Sequence, residues 1–176
     1  MVPEAYLLPP RPTAGIIARM DEREIVRFVA TLPGAISLTA SADDGSPESA
    51  WGDTFFFYDP DGDTPDNQRF PFATIVASNY EGFDEASELD RPGIFRVNVA
   101  VGRGSFETLF ARSSRDAAEH PEDYDVAAPD AFFPHPIYGS QGWVSVINPA
   151  ARTSVELRSL IELAHDLARK RFNRRA

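Results

Sequence analysis

No cysteine occurs among the 176 residues. Disulfide staples, thiolate metal sites, iron–sulfur clusters and cysteine nucleophiles are thereby excluded. Long apolar runs are missing too, and none approaches the roughly 18–20 residues that a membrane-spanning helix needs. Positive charge is scarce: 17 Lys and Arg stand against 27 Asp and Glu, a formal balance of −10. That balance disfavours any function resting on phosphate contacts. The first residues carry no basic segment, no long apolar stretch and no small-residue cleavage site of a secretory signal, so a cytoplasmic location is expected. Zinc-binding His-x-x-x-His and His-Glu-x-x-His spacings, a Gly-x-Ser-x-Gly elbow and a phosphate-binding glycine loop are likewise absent.

What remains is an ordinary globular composition, with 43% hydrophobic and 25% charged residues, 13 Phe and two Trp. Such a chain can bury a real core. Pro3, Pro9, Pro10 and Pro12 mark residues 1–17 as an extended, flexible leader. Residues 18–172 then form a single α+β domain, and 173–176 a basic tail.

Hydrophobic periodicity orders that domain. Asp21 and Glu24 make a capping box, and Ile25, Phe28, Val29 and Leu32 follow as one apolar stripe, predicting a helix over 22–32. Pro33-Gly34 ends it, and strands are expected over 35–40, 51–58, 72–78, 93–101 and 142–148. Between 93 and 101 the alternation is clean: Phe95, Val97, Val99 and Val101 on one face, Arg96 and Asn98 on the other. A short helix over 105–111 and a final helix from the Thr153-x-x-Glu156 capping box to Phe172 complete the set. Residues 112–134 are polar and proline-punctuated, with at most short helical turns. The order predicts a mainly antiparallel sheet with helices packed on one face.

Several segments together resemble a known bacterial family, the domain of unknown function 6194. They are Trp51–Gly62, Arg69–Val76, Tyr80–Ser87, Leu89–Asn98, Val101-Gly102-Arg103, His135–Tyr138 and Gln141–Val146. More remotely, Leu32-Pro33-Gly34, the segment from His135 to Trp143 and the closing helix resemble MmcQ/YjbR-like proteins, which implies a CyaY-like α+β fold. Members of that remoter group are often labelled DNA-binding. Here 13 carboxylates between Asp43 and Asp90 face one base, Arg69, so no nucleic-acid partner is expected.

Candidate site residues follow from the 93–101 strand. Arg96 and Asn98 occupy positions where Val or Thr would be cheaper, so they are expected either to project onto an open sheet face or to be neutralised there by Asp53, Asp84 or Asp90. Aromatic walls for a ligand site would come from Phe56, Tyr58, Trp143, Trp51 and Tyr138. The leading expectation is a non-catalytic module binding a small molecule or a protein partner on that face, as monomer or homodimer, with no cofactor. The alternative is an enzyme pairing His135 with Asp53 or Asp90 for acid–base chemistry. Asp59, Asp61, Asp63 and Asp66 fail the EF-hand template, which wants Gly and Glu where Thr64 and Phe70 stand. No metal site is expected.

Overall fold

Asp21 starts the first helix as its sequence predicts. The Glu24 N–H donates to Asp21 Oδ1 at 2.7 Å, and the Asp21 N–H donates to Glu24 Oε2 at 2.9 Å. The computed structural model describes residues 19–174, so the expected proline leader lies outside the described residues. Helix α1 spans Glu22–Val29 and buries Ile25 and Val29. It stops before the expected Leu32, because the chain tightens into a turn there, with the Leu32 N–H bonded to the Val29 carbonyl.

Six strands follow: β1 (Ala35–Thr39), β2 (Thr54–Tyr58), β3 (Ala73–Val76), β4 (Arg96–Ala100), β5 (Phe132–Pro134) and β6 (Trp143–Ile147). They form one sheet in the order β1-β2-β3-β4-β6-β5, every pair antiparallel. Three more helices are α2 (Gly102–Phe110), α3 (Ser114–Glu119) and α4 (Ser154–Asn173). This is a single-domain α+β fold. Among the described residues, no helix is long and apolar enough to cross a membrane.

The register sorts side chains onto two faces. Phe56, Ala73, Ile75, Val97, Val99, Val144 and Val146 share one face. They pack with Ile25 of α1, Phe106 of α2, Ala117 of α3, and Leu157 and Ile161 of α4 in the main core. Burying each large side chain there contributes about 1.5–3 kcal/mol. The opposite face carries Val76, Ile147 and Phe133, which form a second, smaller cluster with Leu89 and are flanked by Tyr80 and Ile94. The segment between β3 and β4 therefore covers half of this face. Phe55, Thr74, Asn98 and Trp143 lie on the other half.

Two local features depart from the sequence pattern. Strand β5 falls inside a stretch expected to hold only helical turns, since three residues ending in proline give no readable alternation. The start of α4 is held by Asp130 rather than by Thr153 acting as the acceptor. Asp130 Oδ1 accepts from the Thr153 hydroxyl at 2.7 Å and from the Ala150 and Thr153 N–H groups, and Oδ2 accepts from Arg152 N–H. A long-range carboxylate has replaced the local cap. At the other end of the fold, a Cβ on Gly142 would lie 2.6 Å from the carbonyl carbon of Gly102, so only glycine allows β6 and α2 to start side by side.

Candidate functional site: a cavity on the half-covered sheet face

Arg96 marks the border between the covered and uncovered halves. Its neighbours in register are Val76 and Ile147, and it is 0% exposed. Its guanidinium grips Asp84 with both terminal nitrogens, at 3.0 Å to Oδ1 and 2.5 Å to Oδ2, and Nη1 also donates to Ser87 Oγ. A buried bidentate pair of this kind fixes direction as well as charge. Its Nε–H is buried without a hydrogen-bond partner among the described residues.

Further polar ties hold the same covering segment. The Tyr80 hydroxyl donates to Asp53 Oδ2 at 2.5 Å, and Ala77 N–H donates to Asp53 Oδ1. Burial pushes the Asp53 carboxyl up from its ordinary range, against the opposing pull of these two hydrogen bonds. Burial, and then the Asp53 carboxylate, also push the Tyr80 hydroxyl up. Asp90 accepts from both the backbone and the side chain of Asn79, whose own Oδ1 accepts from Leu89 N–H.

On the uncovered half, a polar row crosses three strands. Asn98 Nδ2 donates to Thr74 Oγ1 at 3.0 Å, and Ser145 Oγ donates to Asn98 Oδ1 at 2.7 Å. Thr74 and Asn98 belong to the lining of a cavity of about 740 Å³. Phe55, Phe83, Tyr138 and Trp143 supply its aromatic walls. Gly102, Leu167 and Arg171 also line it, where α2 begins and α4 ends. Its size and its mixture of apolar walls with few polar groups match small-molecule sites.

His135 lines this cavity beside Tyr138 and Trp143, with ring centroids 5.0 and 6.3 Å away. Its Nδ1 accepts from the N–H groups of Ile137 and Tyr138 at 3.1 and 3.2 Å. That assignment puts the proton on Nε2, which has no hydrogen-bond partner among the described residues. Burial, assisted by the Arg96 charge, lowers the His135 pKa to about 3. The ring is therefore neutral near pH 7 and works as a donor. As a base it has no lone pair to offer, since the one it owns is taken by its own turn.

The structure brings together Arg96, Asn98, His135, Tyr138 and Trp143 of the residues singled out from sequence. It does not bring in the others. Arg96 itself is sealed in an ion pair and does not project onto an open surface. Phe56 and Tyr58 belong to the helix-covered face, because β2 pairs Phe56 with Ala73; Phe55, one position earlier, takes the place expected of them. Trp51 is 44% exposed and donates to the Ser46 carbonyl, away from the cavity lining. Asp53 and Asp90 are engaged with Tyr80 and Asn79, and neither bonds His135. Tyr80, Phe83 and Arg171 line the cavity unforeseen. Arg171 reads in sequence only as a cation at a helix end, and nothing in the local pattern marks the other two.

Among the described residues, no group of three or more His, Asp or Glu is placed to hold a metal ion. The acidic turn after β2 is tied internally instead: Asp59 Oδ1 accepts from the Thr64 hydroxyl at 2.7 Å, and Arg69 lies 3.3 Å from Oδ2.

Over residues 20–176 the chain matches the family of unknown function DUF6194. The chain belongs to this family. Each DUF6194-like segment quoted from the sequence sends at least one residue to the cavity, from Phe55 in the first to Trp143 in the last. No curated protein and no solved structure matches the chain, so none backs the remoter likeness to MmcQ/YjbR-like proteins.

Proposed function

We propose that this domain is a non-catalytic binding module whose cavity on the half-covered sheet face takes a small molecule. The observation that carries the reading is the aromatic cavity of about 740 Å³ with a few polar groups converging on it. An acid–base enzyme built on His135 has less support, because the imidazole is a donor and its expected carboxylate partners are occupied. A nucleic-acid role has less support still, with an overall charge of −10. We further infer a cytoplasmic location; the lack of cysteine is compatible with it, since structural disulfides belong to oxidising compartments.

The test uses intrinsic fluorescence. The sequence holds two tryptophans, Trp51 and Trp143. Trp51→Phe removes the emitter that lies outside the cavity and leaves Trp143 as the reporter. A panel of small aromatic compounds should include members that change Trp143 emission and raise the melting temperature together. Phe83 is 56% exposed, so Phe83→Ala should leave the unfolding midpoint almost unchanged while weakening those responses. Responses that persist at full strength in both Phe83→Ala and Tyr138→Ala would refute the assignment of the site.

A further inference from the structure

The cavity's hydrogen-bonding capacity is lopsided, and the imbalance says what kind of molecule it takes; this inference rests on the binding reading above. Its charged and in-sheet acceptors are consumed from within, while Gln141 and the Tyr138 hydroxyl, which also line it, offer a donor and an acceptor alike. The Asp84 carboxylate is held by Arg96, Asn98 Oδ1 accepts from Ser145, and His135 Nδ1 accepts from two backbone N–H groups. Thr74 Oγ1 accepts from Asn98, which leaves its hydroxyl hydrogen to give. Beyond Gln141 and Tyr138, the surplus is in donors without a partner among the described residues: the Nε2–H of His135, the hydroxyl hydrogen of Thr74 and the guanidinium of Arg171.

Charge points the same way. The charged residues lining the cavity are Asp84, Arg96 and Arg171, one negative and two positive. Asp84 and Arg96 cancel each other as a buried pair. Arg171 has no ion-pair partner among the described residues, since Asp166, the acid nearby on the same helix, is taken by Arg169 and Lys170. The one side that faces the cavity is thus net positive in a chain of −10.

We propose that the cavity takes an aromatic carboxylate, with the ring against Tyr138 and Trp143 and the acid group held by Arg171. Tyr138 and Trp143 stand 6.4 Å apart at a 52° tilt, which leaves an aromatic corner suited to the edge or face of a planar ring. A guanidinium matches a carboxylate as a two-pronged donor, whereas a phosphate dianion would call for more than one free cation. The neutral imidazole of His135 adds a hydrogen-bond donor without adding charge.

The experiment compares benzoate, 1-naphthoate and indole-3-acetate with their three primary amides by titration calorimetry on the full chain. At least one acid should bind about tenfold more tightly than its amide, the strength of a charge-assisted pair at a partly open site. Arg171→Gln should bring acid and amide to within about threefold of each other. Arg169→Gln makes the same change of charge on the same helix outside the cavity, and should leave the preference intact. Amides that bind as well as their acids, or equal losses in Arg171→Gln and Arg169→Gln, would overturn the acid assignment while leaving a binding cavity in place. Failure of all six compounds to bind would bring down this inference and the binding reading together.

Discussion

The pair formed by Arg96 and Asp84 predicts an energetic signature that can be worked out from its burial. Arg96 is 0% exposed and Asp84 6% exposed, and the two meet through both terminal guanidinium nitrogens. Arg96→Leu removes the cation and strands Asp84 in a dry site; Asp84→Leu strands the guanidinium. Each should lower unfolding free energy by about 3–5 kcal/mol, the usual penalty for an uncompensated buried charge. Replacing both with Leu removes the orphaned charge altogether, so the double variant should lose much less than the sum of the singles. Val97→Ala, one residue along β4 and facing the helices, supplies the comparison: a cavity in the main core should cost about 1–3 kcal/mol and show no coupling to Asp84.

Urea unfolding of the four Arg96 and Asp84 proteins closes the cycle. Hydrogen exchange over 80–89 adds a local readout, because Asp84 and Ser87 fasten that segment to the sheet. Protection there should fall in both single variants more than it falls in β4. Single variants that each lose less than about 1 kcal/mol would refute the reasoning, since that is the behaviour of a solvent-screened surface pair. The covering segment would then be open in solution, and the cavity would lose one of its walls.

Acidification should act through His135. Its folded pKa of about 3 lies below the unfolded 6.5, so the unfolded state binds the proton first and stability falls as pH drops below 6.5. By pH 5 this amounts to about 2 kcal/mol relative to pH 8. Asp53 works in the opposite sense, because its pKa is raised in the fold. His135→Asn keeps an acceptor for the Ile137 and Tyr138 N–H groups and leaves Asp53 untouched, so urea midpoints of wild type and variant should converge between pH 8 and pH 5; parallel curves would contradict the assignment of the proton. In a gel shift at about 150 mM salt, micromolar protein should leave duplex DNA unshifted, and a submicromolar complex would overturn the charge argument.

The sheet was legible in the sequence wherever alternation is long enough to count. From 93 to 101 the pattern places Val97 and Val99 in the core and Arg96 and Asn98 opposite them, and the register agrees. Alternation does not say which way a run of aromatics faces. From Phe55 to Tyr58 every residue is aromatic, so period two is invisible, and a shift of one residue exchanges the two faces. Phe56 and Tyr58 were expected beside Arg96 for that reason, whereas pairing with Ala73 turns Phe56 inward and gives Phe55 to the cavity. The partners of Arg96 were narrowed to three acids by charge alone. Choosing Asp84 among them required the loop between β3 and β4, whose path depends on Tyr80 reaching Asp53 across 27 residues.

That loop also explains why an Arg is tolerated in mid-sheet. Among the described residues, four α-helices pack on one face and no fifth α-helix covers the other. A loop covers it in part, with Leu89 filling against Val76, Phe133 and Ile147. A loop brings unpaired polar groups with it, and they must be satisfied where they are buried. Arg96 answers Asp84 and Ser87, and Asp53 answers Ala77 and Tyr80. The sheet therefore spends its polar side chains on fastening a cover over one half of the face. Beyond the edge of that cover the same row continues as Thr74, Asn98 and Ser145, linked to one another, with only the Thr74 hydroxyl hydrogen left over, and bordered by aromatic rings instead of by chain. An uncovered half is costly for stability alone, because Trp143, Tyr138 and Phe83 stay partly wet there. A bound ring would bury that surface and recover what the missing cover leaves exposed.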